Sequence, residues 1–160
     1  INWYVSTTGS DTTGNGSISN KYTSIQQGIN AGGEQDTVFV ASGTYTENIN
    51  YNGKNISVIG EHRETTIIDG NQNESVVKFE SGEDSTAMLS RFTITNGLAT
   101  SGGGIYCGSN SSPTITDVII TGNSAYTGGG IYCGSDSSPT LTHVTITDNL
   151  AGFDRNSKIG

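Results

Sequence analysis

The chain is 160 residues long and formally −8 at neutral pH, with 15 Asp and Glu against 7 Lys and Arg. That balance argues against nucleic acid and anionic membranes as partners, since both call for the opposite sign, and no apolar run approaches the ~20 residues of a membrane span. Hydrophobic residues are 31% and reach about 45% with the 23 glycines, enough for one domain with a real core, while only 14% are charged, so exposed faces are coated by hydroxyls and amides.

Residues 1–6 alternate, with Ile1, Trp3 and Val5 on one side and Asn2 and Tyr4 on the other, and read as a strand. A Gly/Ser/Thr/Asn loop comes next, over residues 7–20. Thr23-Ser-Ile-Gln26 has the form of a capping box. Ile25 and Ile29 then share one face of a short helix that Gly32-Gly33 ends, placed to cover the open end of the first coil. Residues 37–41, 45–49, 56–59 and 66–68 are short, β-branched strands, with Asn52-Gly53 and Asp69-Gly70 marking turns. Val77 and Phe79 fall one period before Gly103 and Ile105, and residues 81–86 read as a longer surface loop.

From there the sequence repeats itself. Gly102-Gly-Gly-Ile-Tyr-Cys107 through Gly122-Asn123 returns 26 residues later as Gly128-Gly-Gly-Ile-Tyr-Cys133 through Asp148-Asn149, and Leu89-Ser-Arg-Phe-Thr-Ile-Thr95 is a partial copy one period upstream. A fixed period of this size marks a stacked-repeat architecture. Leu89, Ile115 and Leu141 read as inward, and so do Phe92, Val118 and Val144, three residues further on. An odd step of that kind implies a corner between two strands of one coil. Each coil then holds about three short strands, and successive coils stack as parallel strands ~4.8 Å apart. The fold expected is all-β: a right-handed parallel β-helix of about 26 residues per coil with a short N-terminal capping helix. It divides into the strand, loop and cap (1–35), the coils (36–149) and a tail without a recognisable cap (150–160).

Gly102-Gly-Gly-Ile-Tyr and Ile119-Ile-Thr-Gly-Asn123 resemble the GGxI and FxxN repeats of chlamydial polymorphic membrane proteins. More broadly the chain resembles the right-handed β-helix proteins of the pectate-lyase-like superfamily. Tyr4-Val-Ser-Thr-Thr-Gly-Ser-Asp11, Ile25-Gln-Gln-Gly-Ile29 and Asp36-Thr-Val-Phe-Val-Ala-Ser-Gly-Thr-Tyr45 are similar to that family's opening. The resemblance implies the fold and the covering role of the helix. It leaves function open, because that fold hosts lyases, hydrolases, esterases, adhesins and tail spikes.

Constant spacing stacks Arg91, Asp117 and His143 at one corner, the single arrangement here with the makings of an acid–base site. Surface charges of compatible sign would look the same. Tyr106 and Tyr132 stack outward with Tyr126 nearby, suited either to a sugar ring or to packing on each other. Residues 11–16 hold oxygens enough for Ca2+, with Asp11 as the candidate ligand, but lack a bidentate carboxylate; the reading is a glycine-rich turn and no cofactor. Cys107 and Cys133 occupy equivalent inward positions and point the same way, which predicts two free thiols in the core.

The last coil leaves Cys133, Leu141, Val144 and Ile146 as an uncovered core section, which points to self-association or to further coils, with the Trp3–Val5 strand as a donor to a neighbour's edge. With no charged-then-apolar leader before Ile1, the expectation is a secreted chain, extracellular or at the cell surface, whose signal lies outside this sequence. The favoured function is a non-catalytic structural or adhesive module that contacts a polysaccharide or copies of itself. The alternative is a fragment of a polysaccharide lyase or glycoside hydrolase.

Overall fold

A computed structural model describes residues 1–152; residues 153–160, and with them Phe153 and Ile159 of the tail, lie outside the described residues. The elements in chain order are β1 (Asn2–Val5), α1 (Ile25–Ala31), β2 (Thr37–Val40), β3 (Gly43–Thr46), β4 (Ile49–Asn50), β5 (Ser57–Gly60), β6 (Thr66–Asp69) and β7 (Val77–Phe79). The first regular coil holds β8 (Met88–Ser90), β9 (Thr93–Thr95), β10 (Leu98–Ser101) and β11 (Ile105–Cys107). The second holds β12 (Thr114–Thr116), β13 (Ile119–Thr121), β14 (Ser124–Thr127) and β15 (Ile131–Cys133). The last described coil holds β16 (Thr140–Thr142), β17 (Thr145–Thr147) and β18 (Leu150–Ala151). No helix among the described residues is long and apolar enough to cross a membrane.

Every ladder between these strands is parallel, in four sheets ordered β1-β2-β5-β8-β12-β16, β3-β6-β9-β13-β17, β4-β7-β11-β15 and β10-β14-β18. The result is the parallel β-helix the repeat implies, at about 26 residues per turn. Alternation sends one residue in two into columns that run the length of the core. Val38, Val58, Leu89, Ile115 and Leu141 form one such column; Tyr45, Ile68, Ile94, Ile120 and Ile146 form another. The corner step of three also holds, since Phe92 and Val118 are fully buried.

The sequence expectation needs correction where the coils depart from the period. The two coils from Met88 to Cys133 carry four strands rather than three, because Leu98–Ser101 and Ser124–Thr127 pair with each other, and with β18, in a sheet of their own. Residues 45–49 do not make one strand; the chain turns between Thr46 and Ile49. Val77 lies beside Ile105, and Phe79 beside Cys107, not beside Gly103 and Ile105. The extra residues of the 81–86 loop cause that slip. This loop is not purely a surface feature: Glu83 is fully buried, accepting from the N–H groups of Gly53 (2.8 Å) and Ser81 (3.0 Å) and the Ser111 hydroxyl (3.0 Å).

Helix α1 seals the N-terminal end with Ile25 and Ile29, both fully buried. Its cap is Ser24, whose hydroxyl accepts the Gln27 N–H, rather than Thr23. Gln26 is used elsewhere, exchanging two bonds with the Asn50 backbone. Two side chains from the coil beneath fix the helix ends. The Glu47 carboxylate accepts the Ile25 and Gln26 N–H groups, and Lys54 donates to the carbonyls of Ile29, Asn30 and Gly32. Ile1, which the alternation sets on the same side as Trp3 and Val5, is 82% exposed.

Candidate functional site

The last coil is where the molecule departs most from a closed core. Ile115 and Ile120 are fully buried, but their equivalents Leu141 and Ile146 are 43% and 51% exposed. Leu150 is exposed and Val144 half-buried. Cys133, expected in the core, is exposed although Cys107 directly beneath it is buried. Both thiols are free, as the same-way geometry requires. Among the described residues, each last-coil side chain has a coil on one side only. The expectation that residues 150–160 form no cap falls, from residue 153 onward, outside the described residues.

A polar ladder runs up to the same edge. Asn123 is fully buried; its Oδ1 accepts the Gly97 N–H from the coil below (2.8 Å) and its Nδ2 donates to the Ile94 and Thr121 carbonyls. Asn149 repeats this one coil on, accepting the Asn123 N–H (3.0 Å) and donating to the Ile120 and Thr147 carbonyls. Each Asn therefore ties its own coil to the preceding one. Gly97 itself has no room for a side chain, because a Cβ there would run into the Gly103 carbonyl oxygen. The repeated Thr-x-Asn of the sequence was the signal for this ladder.

The β1 strand is not available as a donor to a neighbour. One edge pairs with β2, and on the other Tyr4 and Ser6 donate to the Gly16 and Tyr22 carbonyls while Tyr22 donates back to Tyr4. Trp3 instead packs against the core and gives its indole N–H to Asp36 (2.9 Å), and Val5 is buried.

Arg91, Asp117 and His143 do occupy one corner, each with a left-handed backbone (φ 63°, 56° and 51°) between paired strands. Their side chains do not form the expected set. Asp117 turns to Arg63 (Oδ1 to Nη1, 3.3 Å), which also holds Glu64 (2.9 Å), and among the described residues no hydrogen bond joins Asp117 to the exposed His143. A cleft there is lined by Glu61, His62, Arg63, Glu64, Arg91 and Asp117. Arg63 escaped the sequence reading because it sits in the non-repeating turn between β5 and β6.

Tyr106 and Tyr132 stack with ring centroids 5.5 Å apart and planes 6° apart, so most of the facing ring surface is taken up by the pair. Below them lies a cleft of about 260 Å³ containing Lys78, Glu74, Glu80 and Tyr106, with Lys78 paired to Glu74 at 3.1 Å. Tyr126 is 62% exposed on β14. Asp11 Oδ1 accepts the N–H groups of Thr23 (2.9 Å) and Ser24 (3.1 Å), a job for an anion among donors rather than for a cation ligand. Among the described residues no three His, Cys, Asp or Glu side chains come together as a metal site. No family model, no curated protein and no solved structure matches this chain.

Proposed function

We propose that the protein is a non-catalytic structural module of the pectate-lyase-like kind, working outside the cell and associating with a second copy of itself through its last coil. The observation that carries this reading is the exposed core section Leu141–Ile146 above the fully buried Ile115 and Ile120. Strand edges on β16 and β17 accompany it, and such an edge is a template for pairing. Because α1 closes the opposite end and the outer edge of β1 is already bonded, the contact joins last coil to last coil. That is a two-fold arrangement in which each copy meets the same surface of the other.

The adhesive side of the reading rests on the Tyr106–Tyr132 stack and the Glu74–Lys78–Glu80 cleft beneath it, where a glycan would be contacted. Loss of retention on a glycan column in Tyr106→Ala tests that side.

Sedimentation equilibrium over a wide concentration range tests the association. The expected outcome is a monomer–dimer equilibrium that Leu141→Asp and Ile146→Asp shift to monomer without loss of the β-sheet signal. A wild-type chain that stays monomeric at high concentration overturns it.

A further inference from the structure

The outer face of the first sheet carries a groove at the other end of the molecule. Along β1, β2 and β5 the inward residues include Val5, Val38, Val40 and Val58, so Tyr4, Phe39 and Ile59 go outward in register. The same position further along the sheet is Ser90, then Thr116, then Thr142. The apolar column is thus confined to three strands. Its first two rings stack, with centroids 5.6 Å and planes 23° apart.

The loop between β1 and α1 brings Ile18 and Lys21 to the groove, and the corners of later coils bring Gly60, Glu61 and Arg91, enclosing about 400 Å³. That size and an apolar floor with a few polar groups are what small-molecule sites have in common. Phe39 is 37% and Ile18 67% exposed, so the floor is open to solvent.

The charges around it are unusual for this chain. Among the described residues Lys54 is engaged by three carbonyls, Lys78 by Glu74, and Arg63 by Glu64 and Asp117. Lys21 and Arg91 make no ion pair among the described residues, and both line this groove. Glu61, the one carboxylate lining this groove, already accepts the Ser42 N–H at 2.9 Å, and Glu64 and Asp117 lie in the neighbouring cleft that Arg91 also borders. Among the described residues of this acidic chain, the two Lys and Arg side chains without an ion or carbonyl partner thus both lie along an aromatic-floored groove.

We propose that the groove binds a small organic anion, a flat ring system bearing a carboxylate or sulfonate, with the ring on Tyr4, Phe39 and Ile59 and the charge met by Lys21 and Arg91. Nothing in this requires the last-coil association, and the two stand or fall separately.

The test is fluorescence titration of the full chain with two dyes of similar shape, anilinonaphthalene sulfonate and uncharged phenylnaphthylamine. Saturable one-to-one binding of the sulfonate is expected. Phe39→Ser should weaken both dyes by about tenfold or more, as the ring loses its apolar floor. Lys21→Gln and Arg91→Asn should weaken only the sulfonate, by roughly fivefold or less each. Asn is chosen because it tolerates the left-handed backbone at that corner. Circular dichroism confirms that each variant is folded. Absence of saturable binding to the wild type overturns the proposal, and so does binding indifferent to Phe39→Ser, which would put the dye on the last coil. Equal weakening of both dyes by the charge variants overturns the anion.

Discussion

The second regular coil and the last one are built from nearly the same residues and live in different environments. Thr114–Thr116 and Ile119–Thr121 return as Thr140–Thr142 and Thr145–Thr147, with the same left-handed corner at Asp117 and His143. Yet Ile115 and Ile120 are fully buried, whereas Leu141 and Ile146 are about half exposed. Alternation and the corner decide locally that these segments are strands. What stabilises them is the coil on either side, so energy in this molecule is a matter of nearest neighbours.

The sharpest way to expose that difference is one substitution made twice. Ile120→Ala removes a side chain packed from above and below and should cost roughly 2–5 kcal/mol. Ile146→Ala loses contacts on one side only, and in the monomer should cost less than about 1.5 kcal/mol. Urea unfolding at low protein concentration measures both. Repeating it at high concentration adds a second reading, since the Ile146 cost rises if a partner covers that coil.

The Asn ladder gives a smaller contrast of the same kind. Asn123→Ala leaves the buried Gly97 N–H and Ile94 carbonyl without their partner, at about 1–3 kcal/mol. Asn149→Ala breaks equivalent bonds where water can replace them, and should cost about 1 kcal/mol or less. Equal costs at the two positions, by the same unfolding measurement, would mean that the last coil is as enclosed as the one before it.

What the sequence disclosed obeys the same division. The regular coils were legible because Leu89, Ile115 and Leu141, and Phe92, Val118 and Val144, repeat at one spacing, and the strand pairs fall in that register. The early coils were not. Thr37 pairs with Ser57 and Ser57 with Met88, a short step and then a long one, so counting back by one period misplaces Val77 and Phe79. The same irregularity hid the alignment of Tyr4, Phe39 and Ile59, which needs the true coil lengths. The buried role of Glu83 and the reach of Arg63 to Asp117 depend on contacts between non-repeating loops, and no spacing announces them.

The two thiols sharpen the comparison chemically. Burial pushes the Cys107 thiol from an ordinary 9.0 up to about 12, with Cys133 and Glu83 adding to it, whereas Cys133 is raised by its partial burial but stands open to solvent. Iodoacetamide on the native protein should label Cys133 alone, and labelling after denaturation without reductant should count two thiols. A count of zero in a monomer would show a disulfide. The raised Cys107 value also sets a pH dependence. Below about pH 9 the thiol is protonated in both states and its contribution is complete; between about 9 and 12 the unfolded chain releases the proton first, so stability falls as pH rises. Cys107→Ala should flatten that alkaline limb.

The smallest effect is expected at the charged corner, where the two coils differ in partners rather than in burial. Asp117 has Arg63 at 3.3 Å, and His143, its equivalent, has no such neighbour among the described residues. The contact is long for an ion pair, Arg63 divides its guanidinium between Asp117 and Glu64, and Asp117 is nearly half exposed, so water and salt screen most of the attraction. Asp117→Asn keeps a residue that accepts the left-handed backbone and removes only the charge. It should leave the thermal midpoint where it was, as should Arg63→Gln and His143→Asn. A double-mutant cycle on Arg63 and Asp117 that returned a clear, salt-sensitive coupling would show that the corner holds the coils together. A midpoint unmoved by all three leaves the stacking of apolar columns, and the side on which each column ends, as the origin of the difference between the two coils.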